Sequence, residues 1–199
     1  DELASLMRRA GCVGVDFGVD HADEDMLERL GRDFGPEEAE RAVRLCKKYG
    51  IVCMCDLLLG GPGETKESLR TTVERMRRFA PDRVGVALGV RLYPGTALAD
   101  MVSEEGFTPE NPNLKGKVVG NPDWLLPVFY LSEDLGEDPA SYLAEVVGGD
   151  RRFFFPSPED LRRNYNYNDN QLLVQAIGKG YRGAFWDILR RLSEGEGPG

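Results

Sequence analysis

Three apolar runs of strand length, CVGVDFGV (12–19), IVCMCDLLL (51–59) and RVGVALGVRL (83–92), alternate with helix-length amphipathic segments. This alternation constrains the chain more than any other feature. Strands joined by helices run parallel through right-handed crossovers. The middle run is almost wholly apolar, as a parallel strand covered on both faces should be. Helices are expected over ELASLMRRAG, EDMLERLGR with Asp23 as its cap, PEEAERAVRLCKKY closed by Gly50, TKESLRTTVERMRRF and ALADMVSEEG. The expected fold class is α/β: a partial (β/α) barrel of about three parallel strands over residues 1–106. An irregular, mainly helical extension should follow over 107–192, then a disordered tail over 193–199. Within the extension a polar loop precedes PVFYL, a helix SYLAEVVG, RRFFFPSP and a final helical region over 169–192.

A net charge of −9 argues against nucleic acid or an anionic membrane as partner, because both are read by clustered Lys and Arg. A small-molecule substrate is expected instead. No apolar run reaches the roughly 20 residues of a membrane span, and the first residues lack the basic and apolar pattern of a signal peptide. A cytoplasmic location follows as the expectation. The four cysteines lack the regular spacing of a disulfide framework and are expected to be reduced thiols. The chain opens without Met on what reads as the last turns of a helix, and a cut through a larger protein is the expectation there.

The second run ends in Gly60-Gly61-Pro62-Gly63-Glu64 and leads into a helix. Bare backbone amides and one carboxylate are thus expected at the C-terminal end of a parallel strand, where α/β folds bind ligands. The spacing is neither that of a P-loop nor G-x-G-x-x-G. A tight strand-to-helix connection would account for it equally well.

Two further elements agree with the ligand reading. FGVDH (17–21), LLLGGPGET (57–65) and LYPGT (92–96), in this order, resemble the C-terminal half of a radical S-adenosylmethionine (SAM) enzyme barrel. The resemblance implies that Asp20 stands at a position contacting the ribose or methionine part of SAM. It also implies that Leu59, Gly60, Gly61, Pro62, Gly63 and Glu64 form the adenine wall, and that Tyr93, Pro94 and Gly95, followed by Thr96, form the sixth-strand turn. The long aromatic extension resembles the branch that often carries a cobalamin-binding domain. Methylthiotransferases share PGET but usually end in a small basic barrel for RNA. In the intact protein the implied cofactors are SAM, a [4Fe-4S] cluster and, through the likeness to that branch, cobalamin, used for hydrogen abstraction or methyl transfer.

The sequence departs from that family in two ways. No three of Cys12, Cys46, Cys53 and Cys55 fit C-x-x-x-C-x-x-C, and the cobalamin motif Asp-x-His-x-x-Gly is missing. The chain by itself is therefore expected to hold neither cluster nor cobalamin and to be inactive. Strand alternation puts Cys53, Cys55, Leu57 and Leu59 on one face and Val52, Met54, Asp56 and Leu58 on the other. If Leu59 faces the cofactor, both thiols face the barrel interior, as core filling in preference to half of a zinc site.

In the extension, Tyr165 to Asn170 reads either as a lid over substrate or as a cap-rich helix entrance. Phe153, Phe154 and Phe155 read as packing. Arg151, Arg152, Arg162 and Arg163 read as a solvated face that could also meet a carboxylate. Two other functions remain: an unrelated (β/α) barrel enzyme whose glycine turn binds phosphate, and a noncatalytic α/β binding module. The unpaired edge of the first strand is expected to drive homo-oligomers.

Overall fold

The computed structural model describes residues 1–155 and 170–198. Helix α1 (Glu2–Arg9) precedes strand β1 (Gly14–Asp20), and α2 (Glu24–Arg29) and α3 (Pro36–Tyr49) lead to β2 (Val52–Leu59). Helix α4 (Lys66–Phe79) then leads to β3 (Arg83–Leu88). These strands are parallel, with β2 in register between Gly14–Asp20 on one side and Arg83–Leu88 on the other. Caps agree with the sequence: Asp23 accepts from the Met26 amide at the start of α2, and Gly50 closes α3 in the left-handed conformation.

The expected third strand breaks at Gly89, whose φ of +96° turns the chain away from the sheet. Its last part becomes β4 (Val90–Arg91), followed by α5 (Ala97–Glu105), β5 (Leu114–Gly116) and β6 (Val128–Tyr130). These three strands form a separate antiparallel sheet in the order β4-β6-β5. Beyond a 3₁₀ turn at Glu133–Leu135, α6 (Pro139–Val147) precedes β7 (Phe153–Phe154), α7 (Gln171–Gly178) and α8 (Phe185–Glu194).

Strand β7 adds to β3 in parallel, giving a four-stranded main sheet of order β1-β2-β3-β7. Both sheets draw strands from either side of residue 106. The first part contributes β4 to the small sheet, and the extension contributes β7 to the main one. Ser193 and Glu194 also belong to α8, and not to a disordered tail.

The two faces of the main sheet differ. Val15, Phe17, Cys53, Cys55, Leu57, Leu59, Val84, Val86 and Phe153 pack in one core with Val43 of α3 and Leu69, Val73 and Met76 of α4. The other face carries Met54 and Phe154 against Trp186 of α8. Gly14 permits this contact, since a Cβ there would lie 3.0 Å from the Trp186 ring. Cys53 and Cys55 thus face the helical layer, a correction to the expectation that they face the barrel interior. The reason is that helices α3 and α4 cover the odd-numbered side of β2, Leu59 included.

Candidate functional site at the end of strand β2

The Gly60–Glu64 turn is built from local and distant bonds. Pro62 fixes the first central position and Gly63, at φ +76°, takes the second, while the Glu64 amide donates to the Gly61 carbonyl at 3.0 Å. This is the geometry of a type II turn. Thr65 then caps α4, accepting from the Ser68 amide at 3.2 Å. Around it, the Gly89 amide donates to the Leu59 carbonyl and the Ser132 amide to the Gly60 carbonyl, at 2.7 and 3.0 Å. The Ser132 hydroxyl donates to the Glu64 carbonyl at 2.8 Å.

Gly60 is the tightest point. Its φ is +92°, and a Cβ would come within 2.5 Å of Leu131 Cδ1. At Gly61 a Cβ would meet Met26, Val90 and Leu30 at 3.6 to 3.7 Å, ordinary contact distances. Arg29 lies over Gly63.

Glu64 does not project toward a ligand. Its side chain is fully buried and accepts from the Gly60 amide, with its other oxygen 2.9 Å from His21 Nε2. His21 Nδ1 lies 2.9 Å from Thr72 Oγ1 and accepts from the Asp23 amide at 3.0 Å. Thr72 Oγ1 in turn accepts from the Ala22 amide. His21, Glu64 and Thr72 are all at 0% exposure. The carboxylate therefore joins the end of β1 to the turn after β2. Sequence reasoning placed Glu64 on the cofactor wall and weighed His21 only as a fallback zinc ligand; its position directly after Asp20 was the available signal.

The structure separates the other expected site residues. Asp20, at φ +62°, lies at the end of β1, where Arg32 binds its carboxylate through two guanidinium nitrogens. The Leu59 side chain is buried in the helix-side core, so a ligand would meet the backbone at this strand end and not that side chain. Pro62 is half-buried and Gly63 is exposed. Tyr93 is 53% exposed with the Arg91 guanidinium 5.0 Å from its ring centre. Pro94 and Gly95 are exposed, and Thr96 caps α5 by accepting from the Ala99 amide at 3.2 Å. The segment Tyr165–Asp169, with Arg162 and Arg163, lies outside the described residues. Asn170, the last residue of that run, caps α7 by accepting from the Leu173 amide. Arg152 pairs with Asp150, whose carboxyl this bond holds below its ordinary range.

Toward the strand ends, the sheet face opposite α3 and α4 carries Gly18, Asp56 and Gly85 in one row across β1, β2 and β3. A side chain at Gly18 would meet no described atom within 4 Å. Asp16 lies on the same face; burial raises its carboxyl above the usual range, opposed by a hydrogen bond with Asp56. At Gly18 this face leaves room above the end of β1, whereas Gly85 is buried. The room at Gly18 and the Gly60–Gly61 backbone fit the adenosyl or methionine portion of SAM. The described residues do not fit a [4Fe-4S] cluster, because Cys53 and Cys55 are buried in the helical core and burial pushes both thiols up, Cys53 to about 12. Cluster ligation needs thiolates. Among the described residues no group of three His, Cys, Asp or Glu side chains is placed to hold a metal.

A parallel sheet with α3 and α4 on one face, Trp186 of α8 against the other and a glycine-rich, buttressed turn at its C-terminal end defines an α/β protein of the kind whose ligands sit at the strand ends. Residues 1–76 match the family model of the radical SAM superfamily. Tryptophan 2-C-methyltransferase of Streptomyces laurentii is 31% identical over 94% of this chain and 39% of its own length. TsrM of Kitasatospora setae, a radical SAM methyltransferase solved with tryptophan substrate and a SAM analog, superposes with a TM-score of 0.84. It is 28% identical over 97% of this chain and 43% of its own. Its structure with cobalamin and a [4Fe-4S] cluster gives a TM-score of 0.79. The ribosomal protein uS12 methylthiotransferase RimO of Heliobacterium modesticaldum is 32% identical over 47% of this chain and 21% of its own length. The chain belongs to the radical SAM superfamily. It spans about two fifths of the length of the methyltransferases it matches. No helix among the described residues is long and apolar enough to cross a membrane.

Proposed function

We propose that this chain is the SAM-binding and substrate-side segment of a radical SAM methyltransferase acting on a small molecule. The observation that carries the reading is the continuity of the likeness to a tryptophan methyltransferase through 94% of the chain, extension included. The likeness to the methylthiotransferase reaches 47% of it. A small substrate is thereby favoured over RNA or protein. Because an anaerobic magnesium-protoporphyrin IX monomethyl ester cyclase is also 29% identical over 96% of the chain, the preference for methyl transfer rests on the structural likeness to the tryptophan methyltransferase, with its TM-score of 0.84.

When bound, SAM supplies the methyl group. The chain's own residues position it: the closely packed Gly60–Gly61 backbone forms one wall of the strand end, and Glu64 fixes that wall from behind. Gly18 leaves room beside Asp56 at the end of β1, and Asp20, held by Arg32, marks that end. The cluster and cobalamin would be held by residues outside this chain, since the described thiols do not suit a cluster. Isothermal titration of the chain with SAM tests the reading. Binding in the micromolar range that Gly60→Val abolishes is expected; no binding at millimolar SAM overturns it.

The isolated chain is also proposed to self-associate. Among the described residues β1 is an edge of the main sheet, and such an edge can pair with a strand of another chain. Light scattering should give a mass above one chain of 22.1 kDa. A monomer at high concentration overturns this.

A further inference from the structure

The buried polar network behind the glycine turn has a defined proton arrangement. His21 Nδ1 accepts the Asp23 backbone N–H at 3.0 Å. An amide can only donate, so Nδ1 carries no proton. The proton of the neutral ring must then sit on Nε2, which is 2.9 Å from Glu64 Oε1. Thr72 agrees with this assignment. Its oxygen accepts the Ala22 amide, and its own hydroxyl proton is free to point at Nδ1, 2.9 Å away. Glu64 accepts from Nε2–H through one oxygen and from the Gly60 amide through the other. The single lone pair of Nδ1 is then shared between the Asp23 amide and the Thr72 hydroxyl, and every other bond in the network has one donor and one acceptor.

We propose that His21 is a positioning residue for the SAM site, acting as the Nε2–H tautomer. It orients the Glu64 carboxylate, which fixes the Gly60 amide and so the conformation of the turn. The role of the turn rests on the proposed function above; the tautomer does not. His21 never reaches the ligand itself, being fully buried. Its effect passes through one carboxylate to a backbone whose φ of +92° has few alternatives once that bond is made. Because His21 directly follows Asp20, the same ring also ties the Arg32-bound end of β1 to the turn. Two walls of the site on different strands are thereby held in one geometry.

The chain has one histidine, so its ¹⁵N-labelled imidazole gives an unambiguous signal. In the unaltered chain at neutral pH, Nδ1 is expected at a pyridine-like shift and Nε2 at a pyrrole-like one. An Nδ1–H tautomer or an imidazolium overturns the proposal. Substitution then separates geometry from mere filling. In His21→Gln the new side-chain amide reaches where Nε2–H stood and should keep SAM affinity within about threefold. His21→Asn supplies a group only at the Nδ1 position and should lose about tenfold or more, the effect of one hydrogen bond to a charged group. The Gly60 amide resonance should stay in place in the first variant and move in the second. If the unaltered chain binds no SAM, the function proposed above fails while the tautomer and the Gly60 shift still test His21. If His21→Asn leaves both the Gly60 resonance and the affinity unchanged, the positioning role is wrong. Should either variant fail to fold, the imidazole spectrum of the unaltered chain decides the tautomer alone.

Discussion

Two strand-to-helix turns in this protein use nearly the same local chemistry and have different surroundings. Gly60–Thr65 and Tyr93–Thr96 each combine proline, a glycine at positive φ and a threonine that caps the next helix. The first is bonded to β1, to β3 through Gly89 and to Ser132 of the extension, with a carboxylate at 0% exposure behind it. The second is exposed, and its turn is held by local bonds within Tyr93–Ala99, with the Thr96 hydroxyl donating to the Tyr93 carbonyl. Turn residues set the local path of the chain. Rigidity comes from what packs and bonds behind the turn.

The largest expected effect is at Glu64. Glu64→Ala leaves the Gly60 amide and His21 Nε2–H buried without their acceptor, and should cost about 3 kcal/mol in urea unfolding. A loss under about 1 kcal/mol would mean that water replaces the carboxylate and that the two turns differ less than their burial implies. The glycines come next. Gly60→Ala combines positive φ with the Leu131 contact and should cost about 2 kcal/mol. Gly95→Ala, at φ +77° with nothing within 4 Å, should cost about 1 kcal/mol from backbone strain alone. Equal losses at the two would remove the distinction between a packed and an open turn.

The smallest contrast is in the caps. Thr65→Ala and Thr96→Ala should each cost about 1 kcal/mol, because both lose one bond of the same 3.2 Å length. A cap at residue 65 worth clearly more would show that tertiary bonds strengthen local ones. Gly61→Ala should be nearly neutral for stability, since its Cβ would find ordinary contacts. Any loss there should appear in SAM affinity instead.

Comparison of the two turns also separates what could be read in the chain from what could not. The helix-strand alternation, the caps at Asp23 and Gly50 and the apolar β2 all follow from period and turn chemistry, which act over a few residues. The break at Gly89 was hidden because VALGV is as β-prone as a continuous strand, and only pairing of Val90 with Tyr130 draws the chain into a second sheet. The orientation of Cys53 and Cys55 was hidden for a related reason. Alternation gives two faces and does not say which one the helices cover. The Gly60–Glu64 turn was legible as a motif, yet Glu64 turned inward, because its partner His21 lies 43 residues away.

The sequence by itself determined a parallel α/β arrangement and the positions of the turns, since each depends on local backbone preference and hydrophobic period. Only the tertiary structure decided which glycine of the turn is most tightly packed, which way the carboxylate points and which face of the sheet α3 and α4 cover. Those depend on contacts between segments far apart in the chain, where burial makes an unpaired polar group costly and so selects one arrangement among those that the local pattern allows.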